Sequence, residues 1–241
     1  MADVPLRAAY CCPGQIRAAR GGIGMTSAPF ATDDRLMTEE QHHLPLRKRT
    51  AETLFGQRIL TLDSALDDDI GTQLCSQLVM LSDDDPAADI ALWINSPGGS
   101  VPAMLAITDV MALIPNDVIT VNLGMAYSAG QFILCNGTRG KRFIAPHAKV
   151  LLHQGSAGIG GYAPDIELQA DDLRHVRDTV LTIIAEQTGQ TCERIFDDSL
   201  RDHVFTATES VEYGFVDHIV TDIAQIRPRS AAAAGFEVSN A

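Results

Sequence analysis

The segment Gly124-Met125-Ala126-Tyr127-Ser128-Ala129-Gly130 joins an apolar strand to an apolar helix with a single serine among small residues, so the chain must suit a fold in which strands feed directly into helices. Upstream, Val118-Ile119-Thr120-Val121-Asn122-Leu123 is β-branched and bounded by a glycine, which predicts a strand. Downstream, Ala129 to Cys135 predicts the first turns of a buried helix. The same order recurs along the chain. Arg58 to Leu62 is a strand candidate, and the helix after it carries Ile70, Leu74, Leu78 and Leu81 on one face, with Asp67, Asp68 and Asp69 well placed for its first turn. Ile90 to Ile94 precedes the apolar-periodic run Val101 to Ile114. Repeated β-then-α order argues for an α/β fold with a largely parallel sheet.

At its position Ser128 would stand at a helix N-terminus, where unpaired backbone N–H groups and the positive end of the dipole can stabilise an oxyanion forming beside the hydroxyl. That is the geometry acyl transfer needs; the plainer reading is an N-cap serine. His153 ends the apolar run Lys149-Val150-Leu151-Leu152, which would deliver an imidazole from a strand tip; the plainer reading is a structural histidine. Asn95-Ser96-Pro97-Gly98-Gly99-Ser100 links a strand to a helix, and its paired glycines let a backbone N–H approach a ligand with no Cβ in the way. An ordinary tight turn accounts for it equally well. For a third, orienting carboxylate the residues alone leave Asp197, Asp198 and Asp202 open, since all three lie in one short stretch.

With 241 residues and 46% hydrophobic content, the chain can bury a sizeable core as one domain. Its formal net charge of −13 disfavours nucleic acid and anionic membrane as general partners, both of which need a basic footprint. The five cysteines are odd in number and lack metal-ligand spacing. Cys11 and Cys12 adjoin near the start, while Cys75, Cys135 and Cys192 sit in apolar-periodic segments, which reads as reduced core thiols of a cytosolic protein with no metal. No apolar run approaches the ~20 residues of a membrane span, and the N-terminus lacks a hydrophobic signal core.

Residues 1–50 carry scattered Gly, Pro, Ala and charge without a period and read as a flexible extension, and 226–241 read as a disordered tail around Ala231 to Gly235. The folded domain is expected over 51–225. Within it, Pro164 to Gln190 predicts a long helix, with Leu173, Val176, Val180, Ile183 and Ile184 at helical spacing and Asp171, Asp172, Arg174 and Arg177 on a polar face. The preceding glycine-rich Gly155 to Gly161 lacks the Lys-Ser/Thr ending of a phosphate loop and reads as a flexible strand.

Taken together, Ile94-Asn95-Ser96-Pro97-Gly98-Gly99-Ser100, Gly124 to Gly130, Gly140-Lys141-Arg142-Phe143, Val150-Leu151-Leu152-His153-Gln154, Thr188-Gly189-Gln190, Arg201-Asp202 and Val211 to Asp217 resemble, in order and spacing, the ClpP family of self-compartmentalised serine peptidases. The resemblance runs from about Arg58 to Ile223. It implies a ClpP/crotonase-like spiral of ββα units with a projecting handle helix, formed by Pro164 to Gln190, that joins two stacked seven-membered rings. Ser128 would be the nucleophile, His153 the general base and then acid, and Asp202 the orienting carboxylate, with the backbone N–H groups of Gly99 and Ala129 as oxyanion donors. The segment after His153 would pair with an extended substrate. By the same resemblance the chain is the proteolytic subunit of a cytoplasmic ATP-dependent protease cutting unfolded polypeptides to short peptides. ATP would be used by a partner AAA+ unfoldase, with no cofactor held here, and the N-terminal extension would be a processed propeptide and axial loop.

Three departures suggest a divergent paralogue, one that works only in a mixed ring. Gly155 replaces the usual proline, Ala91 an aromatic expected beside the unfoldase-docking cleft, and Leu200 an acidic residue before Arg201. The alternatives to an active subunit are a catalytically weak structural subunit of such a ring and an acyl-CoA enzyme of the crotonase fold.

Overall fold

The computed structural model describes residues 46, 48–155, 158 and 160–228. Most of the expected N-terminal extension, including Cys11 and Cys12, and the end of the C-terminal tail lie outside the described residues, as do 156, 157 and 159 of the glycine-rich segment. A first helix, α1, covers residues 48–55. It is followed by β1 (Ile59–Leu62), α2 (Asp68–Asp84), β2 (Ile90–Ser96), α3 (Val101–Leu113), β3 (Val118–Tyr127), α4 (Ala129–Cys135), β4 (Arg142–Ile144), β5 (Lys149–Leu152), α5 (Ala163–Thr188), α6 (Cys192–Ser199), β6 (His203–Phe205), α7 (Ala207–Tyr213), β7 (His218–Ile219) and a 3-10 turn (Ile223–Ile226).

The fold is α/β, as the alternation predicts, and the sheet order is β1-β2-β3-β4-β7, every one of these pairings being parallel. Period-two alternation assigns each strand's residues to two faces. Leu60, Leu62, Leu92, Ile94 and Ile144 join the main core with Leu74 and Leu78 of α2, Ile107 of α3, Phe132 of α4 and Ile184 of α5. Their neighbours Ile59, Ala91, Ile119, Val121 and Phe143 face the other way and are closed over by Ile226. A sheet buried on both faces explains the near-continuous apolar runs of β2 and β3.

Ala91 is 0% exposed and belongs to this second cluster, while Leu54, Trp93 and Val220 pack against it half-buried, the Trp93 indole N–H donating to the Ile226 carbonyl at 3.3 Å. Cys192, expected as a core thiol, is instead exposed, because the N-terminal residue of α6 lies outside the buried stripe that Ile195 leads; Cys135 is buried, its pKa pushed up to about 12 by desolvation.

Helix α5 has 26 residues, about 39 Å at the usual rise, and ends on Gly189 in the left-handed region at φ 75°. Its two halves differ. Leu181, Ile184 and Ala185 are buried and Val180 packs against the same core, so the apolar stripe expected to cover a partner is spent on the subunit itself at this end. The apolar residues left uncovered lie at the N-terminal end: Tyr162, Ile166, Leu168 (76% exposed) and Leu173.

Candidate active site

Strand β3 changes partners midway, and that change aims the residue at its end. Thr120 to Asn122 pair with β4, while Met125 to Tyr127 pair with β5. Between them β3 uses three residues, Leu123 to Met125, where β2 uses one, Asn95, the flanking pairs being Ile94 with Asn122 and Ser96 with Ala126. The irregularity is held by two asparagines. Buried Asn122 donates to the Lys149 carbonyl at 2.9 Å and accepts the Gly124 N–H at 3.1 Å, and Asn95 Oδ1 accepts the Met125 N–H at 3.2 Å. A Cβ on Gly124 would lie 2.7 Å from Asn95 Oδ1, so a side chain there would push the Asn95 amide off the Met125 N–H that it accepts. The strand thus runs through the glycine expected to end it.

Ser128 follows directly, with φ 54° and ψ −116°, a conformation that L-residues adopt only under constraint. Its N–H donates to the Leu151 carbonyl at 3.0 Å, its carbonyl receives the Phe132 N–H, and its side chain makes no cap hydrogen bond. The N-cap reading of Ser128 is therefore not what the hydroxyl does. A serine on a strained strand-to-helix turn presents its Oγ outward, as a nucleophile elbow does.

Strand register assembles the rest. Parallel pairing sets Tyr127 opposite Leu151, so Ser128 and His153 leave adjacent strand ends, and antiparallel pairing sets Leu152 opposite His203, so Asp202 arrives beside His153. His153 Nδ1 lies 3.1 Å from Asp202 Oδ1. The other two carboxylate candidates are elsewhere. Asp198 accepts the Tyr213 hydroxyl at 2.8 Å and stands 3.5 Å from Arg194 Nε, and Asp197 is exposed on α6. Among the described residues no hydrogen bond joins Ser128 to His153, so the structure brings His153 and Asp202 into contact but not Ser128 with them. An open cleft of ≈ 500 Å³ lies beside them, lined by His153, Gln154, Ser199, Leu200, Arg201 and Asp202.

The glycine loop lies against Ser128. A Cβ on Gly98, at φ 99°, would sit 2.8 Å from Ser128 Cβ and 3.2 Å from the Ala129 nitrogen. Gly99 bridges Leu66 in parallel fashion: the Leu66 N–H donates to the Gly98 carbonyl at 2.8 Å, and the Ser100 N–H donates to the Leu66 carbonyl at 2.7 Å. The N–H groups of Gly99 and Ala129 have no acceptor among the described residues; Ala129 directly follows Ser128, and Gly99 follows Gly98, which lies against Ser128.

Sequence reasoning missed the clamp behind α4. Arg142, 5% exposed, donates through Nη1 to the carbonyls of Cys135 and Gln187, and through Nε and Nη2 to Asp217 at 2.9 and 2.6 Å. Asp217 also accepts the N–H groups of Gly140 and Arg142. Desolvation alone would raise this carboxyl, but the guanidinium and the backbone donors outweigh it and hold it below the ordinary carboxylate range. Both residues stood in the motifs quoted above; that they meet depends on a contact across 75 positions. Among the described residues no three His, Cys, Asp or Glu side chains are grouped to hold a metal ion, and no helix is long and apolar enough to cross a membrane.

Residues 45–222 match the family model described as Clp protease. The chain belongs to the Clp protease family. It is 49% identical over 189 residues to ATP-dependent Clp protease proteolytic subunit 2 of Rhodococcus jostii, covering 78% of this chain and 97% of that protein. It is 52% identical over 180 residues to proteolytic subunit 3 of Streptomyces coelicolor, covering 75% and 83%. With proteolytic subunit 1 of Corynebacterium jeikeium the identity is 50% over 175 residues, covering 73% and 93%. Similar identity to differently numbered subunits marks this chain as one paralogue of the family.

Proposed function

We propose that the chain is a serine endopeptidase subunit of an ATP-dependent Clp protease. The observation that carries the reading is the strained Ser128 at a strand end adjacent, by register, to the His153–Asp202 pair. Ser128 Oγ attacks the scissile carbonyl while His153 Nε2 takes its proton. Asp202 receives the Nδ1–H and so fixes the tautomer that leaves Nε2 free. The carbonyl oxygen gains negative charge and is met by the N–H groups of Gly99 and Ala129. Collapse expels the amine, protonated by His153, and leaves an acyl group on Ser128. Water, deprotonated by His153, then releases the peptide acid and restores the hydroxyl. Ser128 and His153 must close to hydrogen-bonding distance for the first step, a tightening common when substrate binds.

The partners proposed are self or paralogous subunits in stacked seven-membered rings, a AAA+ unfoldase that hydrolyses ATP, and unfolded polypeptides, all in the cytoplasm. This chain needs no cofactor for the steps above. Gln154, which lines the cleft, opens the segment proposed to pair through its backbone with an extended substrate. Family membership favours neither the acyl-CoA enzyme nor the structural subunit. The deciding experiment labels the protein with a serine-directed fluorophosphonate and maps the adduct. Modification of Ser128, with peptide hydrolysis lost by roughly 10⁶-fold in Ser128→Ala and assembly intact, is the expected result. Substantial turnover by Ser128→Ala would refute it.

A further inference from the structure

Ser96, at the end of β2, is 0% exposed, yet its hydroxyl spans two backbone segments. It donates to the Ser64 carbonyl at 2.6 Å and accepts the Gly98 N–H at 3.1 Å. We infer that Ser96 is a positioning residue for the oxyanion donor Gly99, an inference that rests on the acyl-transfer reading above.

The argument begins with the peptide that carries the donor. A trans peptide directs its C=O and N–H to opposite sides. The Gly98 carbonyl is taken by the Leu66 N–H at 2.8 Å, so the Gly99 N–H faces away from Leu66. That orientation holds only while the glycine pair keeps its backbone angles, φ 99° at Gly98 and φ 150° at Gly99, and glycine offers no Cβ to restrict rotation. Hydrogen bonds must do it instead. Leu66 grips the loop from one side through the Gly98 carbonyl and the Ser100 N–H. Ser96 grips the preceding peptide through the Gly98 N–H, and is itself anchored to Ser64, two residues before Leu66 in sequence. Both grips therefore lead back to the one segment that enters α2.

A hydroxyl suits this position because the site needs a donor and an acceptor on one atom. Alanine would leave the buried Gly98 N–H without its acceptor and would release the loop end from the Ser64 carbonyl. Packing is close on the backbone side as well: a Cβ on Gly130 would come 3.3 Å from the Ser96 carbonyl, so the end of β2 touches the helix that Ser128 begins. Ser96 thereby sets the distance between the two oxyanion donors without touching the substrate.

The test compares wild type, Ser96→Ala and Ser96→Cys as assembled protein. A fluorogenic peptide gives kcat and KM, and a peptide boronate, which forms a tetrahedral adduct on the serine, reports on the oxyanion site. A displaced donor should lower kcat by roughly 10- to 100-fold in Ser96→Ala, short of the loss from deleting a donor outright, with KM held within about twofold. Boronate affinity should fall by the same factor as kcat/KM, and the shape of the pH–rate profile should stay unchanged because His153 and Asp202 are untouched. Ser96→Cys, which keeps a weak donor and acceptor, should fall between the two. A kcat/KM within about twofold of wild type, a loss in KM alone, or a loss in kcat with boronate affinity retained would each overturn the inference. Should Ser96→Ala fail to assemble, the near-isosteric Ser96→Cys decides by the same criteria. Absence of a wild-type boronate adduct on Ser128 would instead sink the acyl-transfer reading, and this inference with it.

Discussion

Replacing Asp217 with alanine should destabilise the subunit far more than its place beside a short edge strand suggests. The side chain is 18% exposed and faces an Arg142 side chain that is 6% exposed, so the substitution strands a guanidinium that water cannot reach. It also frees the N–H groups of Gly140 and Arg142 from their acceptor. Breaking a buried pair from one side costs about 3–5 kcal/mol, whereas an exposed pair costs under ~1 kcal/mol. Because Arg142 also holds the last carbonyl of α4 and the carbonyl of Gln187 in α5, the loss should spread to the helix that Ser128 begins.

Urea unfolding at fixed protein concentration, followed by the fluorescence of the single tryptophan Trp93, measures the cost. The pH dependence supplies a second check. A carboxyl held below its unfolded value contributes stability above the ordinary carboxylate range and loses it as pH falls toward the depressed value. The gap between wild type and Asp217→Ala should therefore be full at neutral pH and shrink only in acid. The double variant Arg142→Met with Asp217→Leu, which removes both charges, should be less destabilised than the sum of its single changes. A loss under ~1 kcal/mol for Asp217→Ala, or a strictly additive cycle, would refute the buried-clamp argument.

Asp202→Asn should leave the subunit folded, because the side chain is 72% exposed, yet slow peptide hydrolysis by roughly 10⁴-fold through the wrong imidazole tautomer; steady-state kinetics beside a circular dichroism melt check both halves. Leu168→Asp, at the uncovered end of α5, should give single rings or monomers by light scattering with an unchanged subunit melt. Val180→Asp should by contrast lower the melting temperature of the subunit itself, since Val180 packs against the subunit's own core, and equal melts for the two variants would show that the halves of α5 do not differ as described.

The elements with strong periodicity were legible from residues alone. The stripe Leu74, Leu78 and Leu81 is buried as its spacing requires, and the helix after Ser128 covers the expected Ala129 to Cys135. Local signals misled where a side chain far away decides the outcome. Gly124 looked like a strand end because glycine weakens strands, but Asn95, some thirty positions earlier, turns it into the centre of a bulge. Val180 and Ile184 looked like a partner-binding face because helical spacing marks which residues seek burial without saying what buries them.

The choice among Asp197, Asp198 and Asp202 shows the same limit at the site itself. All three share charge, exposure tendency and neighbourhood, so nothing local separates them. What separates them is the one antiparallel pairing among the described strands: β6 runs against β5, and the residue before His203 must then face the residue after Leu152. Had β6 run parallel, Asp202 would have been carried to the opposite end of β5. The His153–Asp202 pairing is in this sense a property of strand direction, and strand direction depends on α6 returning the chain to the end of the sheet where Ser128 lies. That return is anchored by the Gln154 N–H donating to the Ser199 carbonyl at 2.9 Å, a bond between the residue after His153 and the last residue of α6. His153 and Asp202 are thus tied by backbone on both sides of their side-chain contact, which is why an exposed carboxylate can still hold an imidazole in register.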